Sequence, residues 1–185
     1  GFLALCEDNL PAPAIADPGE HFKAVLWTGD GNGGRAITGV GFKPDLIWIK
    51  DRGDTSSHSL FDSVRGAGIW LGSNSTSGEQ TTFVNVYNPS FNNDGFGVGS
   101  DGAVNGSGSP YVAWCWKAGG AAVSNTDGSI TSQVSANQTA GFSIVSYTGN
   151  GTNLATVGHG LNKEVKFMIT KSVSYTHLRA HETSH

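Results

Sequence analysis

The last five residues, His181-Glu-Thr-Ser-His185, read as H-E-x-x-H. On a helix that spacing sets two histidines one turn apart to hold zinc, while the glutamate activates water. A working site needs several helical turns around the motif and a third ligand. Here the second histidine closes the sequence, and the residues before it carry strand patterning. The protease reading is set aside. No catalytic residue, metal or cofactor is assigned.

Three other groups have residue types that do chemistry. Asp30, Asn32 and Gly34, followed by Arg35, have the opening spacing of a calcium loop. The chelating glutamate that such a loop requires is missing, and the related stretch Thr148-Gly-Asn-Gly drops the aspartate, so a glycine-rich strand connection is the favoured reading. The same glycines lack the G-K-[ST] and the following helix of a phosphate loop. His58, Asp62 and Arg65 share a face if His58–Gly66 is one short helix. An Arg–Asp pair pinning a loop is favoured there over a catalytic set, because the nearby serines sit in no nucleophile elbow. Trp114 and Trp116 flank Cys115 on one strand. Exposed, they stack on sugar rings; buried, they are core, and the apolar Val112 and Ala118 on their face favour core. Nothing suggests an activated thiolate at Cys115.

The elements that must position these residues read as strands. Phe22–Gly29, Asp45–Asp51, Thr81–Asn88 and Tyr111–Ala118 alternate with period two between turn formers, and shorter runs start at Ile69 and Gly95. Asn93-Asp-Gly95, Asp101-Gly102 and Asp127-Gly128 mark turns. Many short strands predict an all-β fold, a glycine-rich antiparallel β-sandwich of jelly-roll or lectin-like type. Charged residues are 14% of the chain, against roughly 25% in ordinary soluble domains. A net charge of −4 argues against nucleic-acid binding. No apolar run reaches the roughly 18 residues of a membrane span. Cys6 and Cys115 are too few and too far apart for a disulfide framework. The N-x-S/T triplets at Asn74, Asn105, Asn137 and Asn150 are expected by chance in so Asn- and Ser-rich a chain.

An internal repeat organises the chain. Phe22–Lys50 lies over Phe142–Lys171: an aromatic strand, T-G-[DN]-G, a variable stretch, G-x-G-[FL], and an apolar strand ending in lysine. The expected organisation is therefore 1–12 as the end of an upstream domain, 13–120 as an intact sandwich repeat, 121–172 as linker and truncated second repeat, and 173–185 as a non-native tail. Val173–Thr183 is similar to the translated read-through of a transposase adapter used in sequencing libraries, and His181 falls within it.

The phrases "LPAPAIADPGEHFKAVLWTG", "GVGFKPDLIWIKDRG", "LFDSVRGAG", "DGFGVGSDGAVNGSGSPYVAWCWKAGG" and "FSIVSYTGNGT" resemble a repeated domain of environmental, largely marine, bacteriophage structural proteins. "GFLALCEDNLP" is similar to the last strand of the SPRY or concanavalin-type lectin domain that often precedes it. The resemblance implies a virion setting, in a tail fibre or decoration protein, with other virion proteins and host-surface glycan as partners, and it is compatible with a homotrimer. It supplies no catalytic residues. The expected function is a non-enzymatic module that spaces or presents a host-binding surface. The alternative is the accessory part of a tail-associated polysaccharide depolymerase. On either reading the candidate binding residues are Asp30, Asn32, Arg35, His58, Asp62, Arg65, Trp114 and Trp116.

Overall fold

The computed structural model describes residues 15–81, 87 and 89–173, with the backbone of 179–182. Along these residues the strands are β1 (Phe22–Thr28), β2 (Arg35–Thr38), β3 (Leu46–Asp51), β4 (Ser59–Asp62), β5 (Leu71–Gly72), β6 (Ser90–Asn92), β7 (Gly95–Val98), β8 (Pro110–Trp116), β9 (Val123–Asn125), β10 (Ser132–Asn137), β11 (Phe142–Tyr147), β12 (Phe167–Thr170) and β13 (Arg179–Glu182). A 3-10 turn at Pro18–Glu20 precedes β1, and a helical turn at Gly102–Asn105 precedes β8. Residues 82–86 and 88 of the expected strand at Thr81–Asn88, the upstream segment 1–12 with Cys6, and the side chains of 174–185 lie outside the described residues.

β1, β8, β3, β4 and β5 make one antiparallel sheet in that order, and β2, β7 and β6 make a second. Strand alternation decides what lies between them. Along β3, Ile47, Ile49 and Asp51 turn inward and are buried, while Leu46, Trp48 and Lys50 turn outward and are half-buried. Val25, Trp27, Phe61, Tyr111, Ala113 and Cys115 join the inward set and meet Ile37, Phe96 and Val98 of the smaller sheet. Trp27 stacks on Tyr111 at 5.2 Å and meets Phe96 edge-on at 5.8 Å. The expected β-sandwich is what the chain forms. Burial pushes the Cys115 thiol up to about 12, so it packs as a small apolar side chain.

β8 is late in the chain yet central in the sheet. It lies between β1 and β3, with Trp116 opposite both Phe22 and Leu46. The residues just before it close over the β1–β2 loop. A Cβ at Gly29 would stand 2.0 Å from the Gly106 carbonyl oxygen, so this close approach requires glycine. Asp101 caps the helical turn by accepting from Ala103 N at 2.7 Å, and the Tyr111 hydroxyl donates to Gly102 O while accepting from Gly106 N.

The second copy of the sequence repeat places its strands in the same order, β11 for β1 and β12 for β3. β11, β10 and β9 form a small antiparallel sheet against the end of β8. β13 pairs antiparallel with β12, Phe167 facing Glu182 and Thr170 facing Arg179, much as β4 pairs with β3 after a connection one residue longer. The backbone of His181 and Glu182 is thus strand, not the helix that a zinc-protease motif requires. The expected short helix at His58–Gly66 is also corrected. Ser59–Asp62 is β4, because pairing with β3 satisfies its backbone and buries Phe61 on one face and Leu60 on the other.

Ile49→Ala opens a cavity between the two sheets and is expected to lower the unfolding free energy by about 2–5 kcal/mol. Leu26→Ala, at a site 65% exposed, is expected to change it by under about 0.5 kcal/mol. Urea denaturation of the two variants checks both.

Candidate functional site

The outer face of the five-stranded sheet carries an aromatic row. Cross-strand register sets Ala24, Trp114, Trp48 and Leu60 side by side on β1, β8, β3 and β4. Trp114 meets Trp48 edge-on at 6.1 Å, and Trp48 meets the His58 ring at 5.8 Å. Leu26 and Phe22 extend this apolar surface, exposed at 65% and 42%. Trp114 and Trp116 were expected in the core with Val112. The structure reverses this: the core side of β8 is the Tyr111, Ala113, Cys115 side, and both tryptophans are half-buried on the opposite one. They also have different roles. Trp116 meets Phe22 at a tilt, at 5.0 Å, and stacks on Phe142 of β11 at 6.1 Å, tying the second copy to the first. Trp114 stays with Trp48 on the open part of the face.

His58, Asp62 and Arg65 do not form one cluster. Asp62 and Arg65 pair, Arg65 Nε donating to Asp62 Oδ2 at 2.6 Å, with both side chains nearly buried. Asp62 Oδ1 also accepts from the amides of Val64 and Arg65, so this carboxylate locks the turn after β4. His58 instead belongs to the aromatic row. Trp48 Nε1, which can only donate, gives its hydrogen bond to His58 Nδ1 at 2.9 Å. Partial burial and nearby Lys50 lower the His58 pKa below its usual 6.5, which keeps Nδ1 able to accept. His58 thereby sets the orientation of Trp48.

Asp30, Asn32 and Arg35 do come together, around Asn105, a residue that sequence reasoning noticed only as a chance N-x-S triplet. Asn105 is fully buried. Its Nδ2 donates to Asp30 Oδ1 at 2.8 Å and to Asn32 O at 2.9 Å. Its Oδ1 accepts from Asp30 N and from Arg35 Nη1, each at 3.3 Å. Arg35 Nη1 also donates to Thr28 O at 2.7 Å and lies 3.6 Å from Asp30 Oδ2. Hydrogen bonds from the Asn32 amide and the Asn105 side chain hold the Asp30 pKa below the usual carboxylate range. The calcium-like spacing therefore serves a loop clamp, whose signal in sequence was a polar residue just before a strand.

A cleft of about 850 Å³ opens where the two copies join, lined by His21, Lys43, Lys117, Asn137 and Gln138 among others. Asp45 is buried in its wall, accepting from Ser63 Oγ and Ala118 N at 2.8 Å each. Asn137 bridges the copies through Lys117 O and His21 Nδ1, each at 3.1 Å. Among the described residues, no three His, Cys, Asp or Glu side chains gather as a metal site, and no helix is long and apolar enough to cross a membrane.

The family model described as Domain of unknown function (DUF7483) matches residues 17–184. The chain belongs to this family. The DUF7483 match spans β1 to β13, so it covers both copies of the repeat, the aromatic row and the stretch Val173–Thr183. No curated protein and no solved structure matches the chain.

Two outcomes follow from these geometries. Asn105→Ala strands Asp30 N and Asn32 O at once and takes one of its partners from the Arg35 guanidinium. It is expected to cost about 1–3 kcal/mol of unfolding free energy, read by denaturant titration. His58 favours its neutral form in the fold, so the unfolded chain binds the proton more tightly. Stability is then complete above pH 6.5 and declines as pH falls from 6.5 towards the lowered folded value. Thermal unfolding at pH 7.5 and 5.5 should show this decline in the wild type and a smaller one in His58→Gln.

Proposed function

We infer that this DUF7483 chain is a non-enzymatic module of a virion structural protein, a tail fibre or decoration protein, that presents a carbohydrate-binding surface to the host. The observation that carries the reading is the outer aromatic row. Trp114 and Trp48 stand half-exposed on a rigid sheet, with Trp48 held by His58 and exposed Leu26 on the same face. Indole faces suit the apolar faces of sugar rings, and a sheet fixes their spacing without an ordering cost on binding. The acidic groups support binding over turnover. Asp45 and Asp62 spend both carboxylate oxygens on internal donors, and Asp51 gives one to Gly53 N at 2.8 Å. The virion setting rests on the phrases shared with bacteriophage structural proteins. Other virion proteins are the neighbours it implies, in an assembly compatible with a trimer.

Isothermal calorimetry against host-surface polysaccharide tests this reading. Trp114→Ala is expected to weaken binding about tenfold or more, roughly 1.4 kcal/mol, with little change in the unfolding midpoint. Unchanged affinity in Trp114→Ala would remove the aromatic row from the account. Release of reducing sugar by the chain would replace a binding module with part of a depolymerase.

A further inference from the structure

Lys50 brings a charge to the outer aromatic row. It is the next outward residue along β3 after Trp48, roughly 7 Å further on. Register sets it opposite Val112 of β8, which is itself opposite Leu26 of β1. The antiparallel register of β3 and β4, continued one step past Ile49 and Ser59, brings it beside His58. Its charge is felt there, since Lys50 adds to burial in lowering the His58 pKa. The ammonium thus stands at the edge of the surface that Trp114, Trp48 and Leu26 share.

Lys50 Nζ donates to Asp51 O at 2.5 Å and to Asp54 O at 2.6 Å. Two carbonyl dipoles fix its position without cancelling its charge, and they leave one of its three N–H groups for another acceptor. Lys50 makes no ion pair among the described residues. The acids next to it in sequence are engaged elsewhere. Asp51 is buried on the core side with Oδ1 accepting from Gly53 N, and Asp54 Oδ1 accepts from Thr55 N and Thr55 Oγ1. His58 is neutral while its Nδ1 accepts from Trp48. Lys50 is therefore a fixed cation with no carboxylate at ion-pair distance, on a face of otherwise neutral rings.

We propose that Lys50 makes this row selective for acidic sugars, holding the carboxylate of a uronic acid whose ring lies on Trp48 and Trp114. The proposal rests on the reading of the row as a carbohydrate-binding surface. Indole faces take the apolar side of a sugar ring and do not tell a uronic acid from the neutral sugar of the same shape. A fixed ammonium does, because its hydrogen bond to a carboxylate carries charge on both partners, whereas a hydroxymethyl group brings none. The carbonyls of Asp51 and Asp54 hold the lysine in place beforehand, which lowers the ordering cost of using so long a side chain.

Calorimetry of the full chain against glucuronate-, galacturonate- and mannuronate-containing oligosaccharides, each paired with its carboxyl-reduced form, tests the assignment. The acidic member of a bound pair is expected to bind about tenfold tighter than the reduced one. This comparison on the wild-type chain needs no variant to fold. The preference is expected to vanish in Lys50→Gln, whose amide still donates to a carbonyl but carries no charge, and to be kept in Lys50→Arg. Equal affinity for both members of every bound pair would overturn the proposal and leave the row a sugar-binding surface, and a preference kept in Lys50→Gln would overturn it too. Binding of no acidic member would overturn the proposal alone if host polysaccharide still binds through Trp114, and together with the carbohydrate reading if it does not.

Discussion

The seating of residues 105–116 between the β1–β2 loop and the two strands β1 and β3 is the contact on which the rest of the sandwich depends. β8 is hydrogen-bonded to strands far away in sequence, so most of the sheet cannot form until this late segment returns. Gly29 lets the segment approach, Asn105 ties it to Asp30, Asn32 and Arg35, and Tyr111 ties it back to Gly102 and Gly106 while filling the core under Trp27. These anchors share one short stretch of chain. A residue that looked like half of an ion-binding loop is, on this view, half of a latch.

The aromatic row follows from the same seating. Once Tyr111 and Cys115 are committed to the interior, period-two geometry sends Trp114 and Trp116 to the outside. Trp116 is used up at the joint with Phe142, and Trp114 is left beside Trp48 on a surface that nothing in the core requires. Two tryptophans and an exposed leucine on a solvent-facing sheet are costly to leave uncovered unless they meet a partner. His58 makes the point for Trp48, since a hydrogen bond fixes that ring rather than leaving it to pack as it can. Rigid, directed aromatic faces of this kind suit the binding surface proposed for the chain.

Much of this architecture was legible in the sequence. β1, β3, β7 and β8 announced themselves by alternation between turn formers, and the T-G-[DN]-G repeat located the second copy. What stayed hidden has physical reasons. β2, β6, β9 and β10 are short or polar, and neighbouring strands rather than their own pattern make them strands. Ser59–Asp62 carries spacing that suits a helix, and only its pairing with β3 decides otherwise. The facing of β8 was misjudged because both of its faces are apolar, Tyr-Ala-Cys on one and Val-Trp-Trp on the other, so parity alone could not pick the core. Asn105 showed only as a polar residue just before a strand, because a clamp across more than 70 residues of chain does not reveal its partners locally.

The claim that one late segment holds the sandwich together is tested most directly by native-state hydrogen exchange. The account predicts that the slowest amides of β1, β3 and β8 open together, with the free energy of global unfolding. Exchange of β1 at a markedly lower free energy than β8, with β3 and β8 still protected, would contradict it.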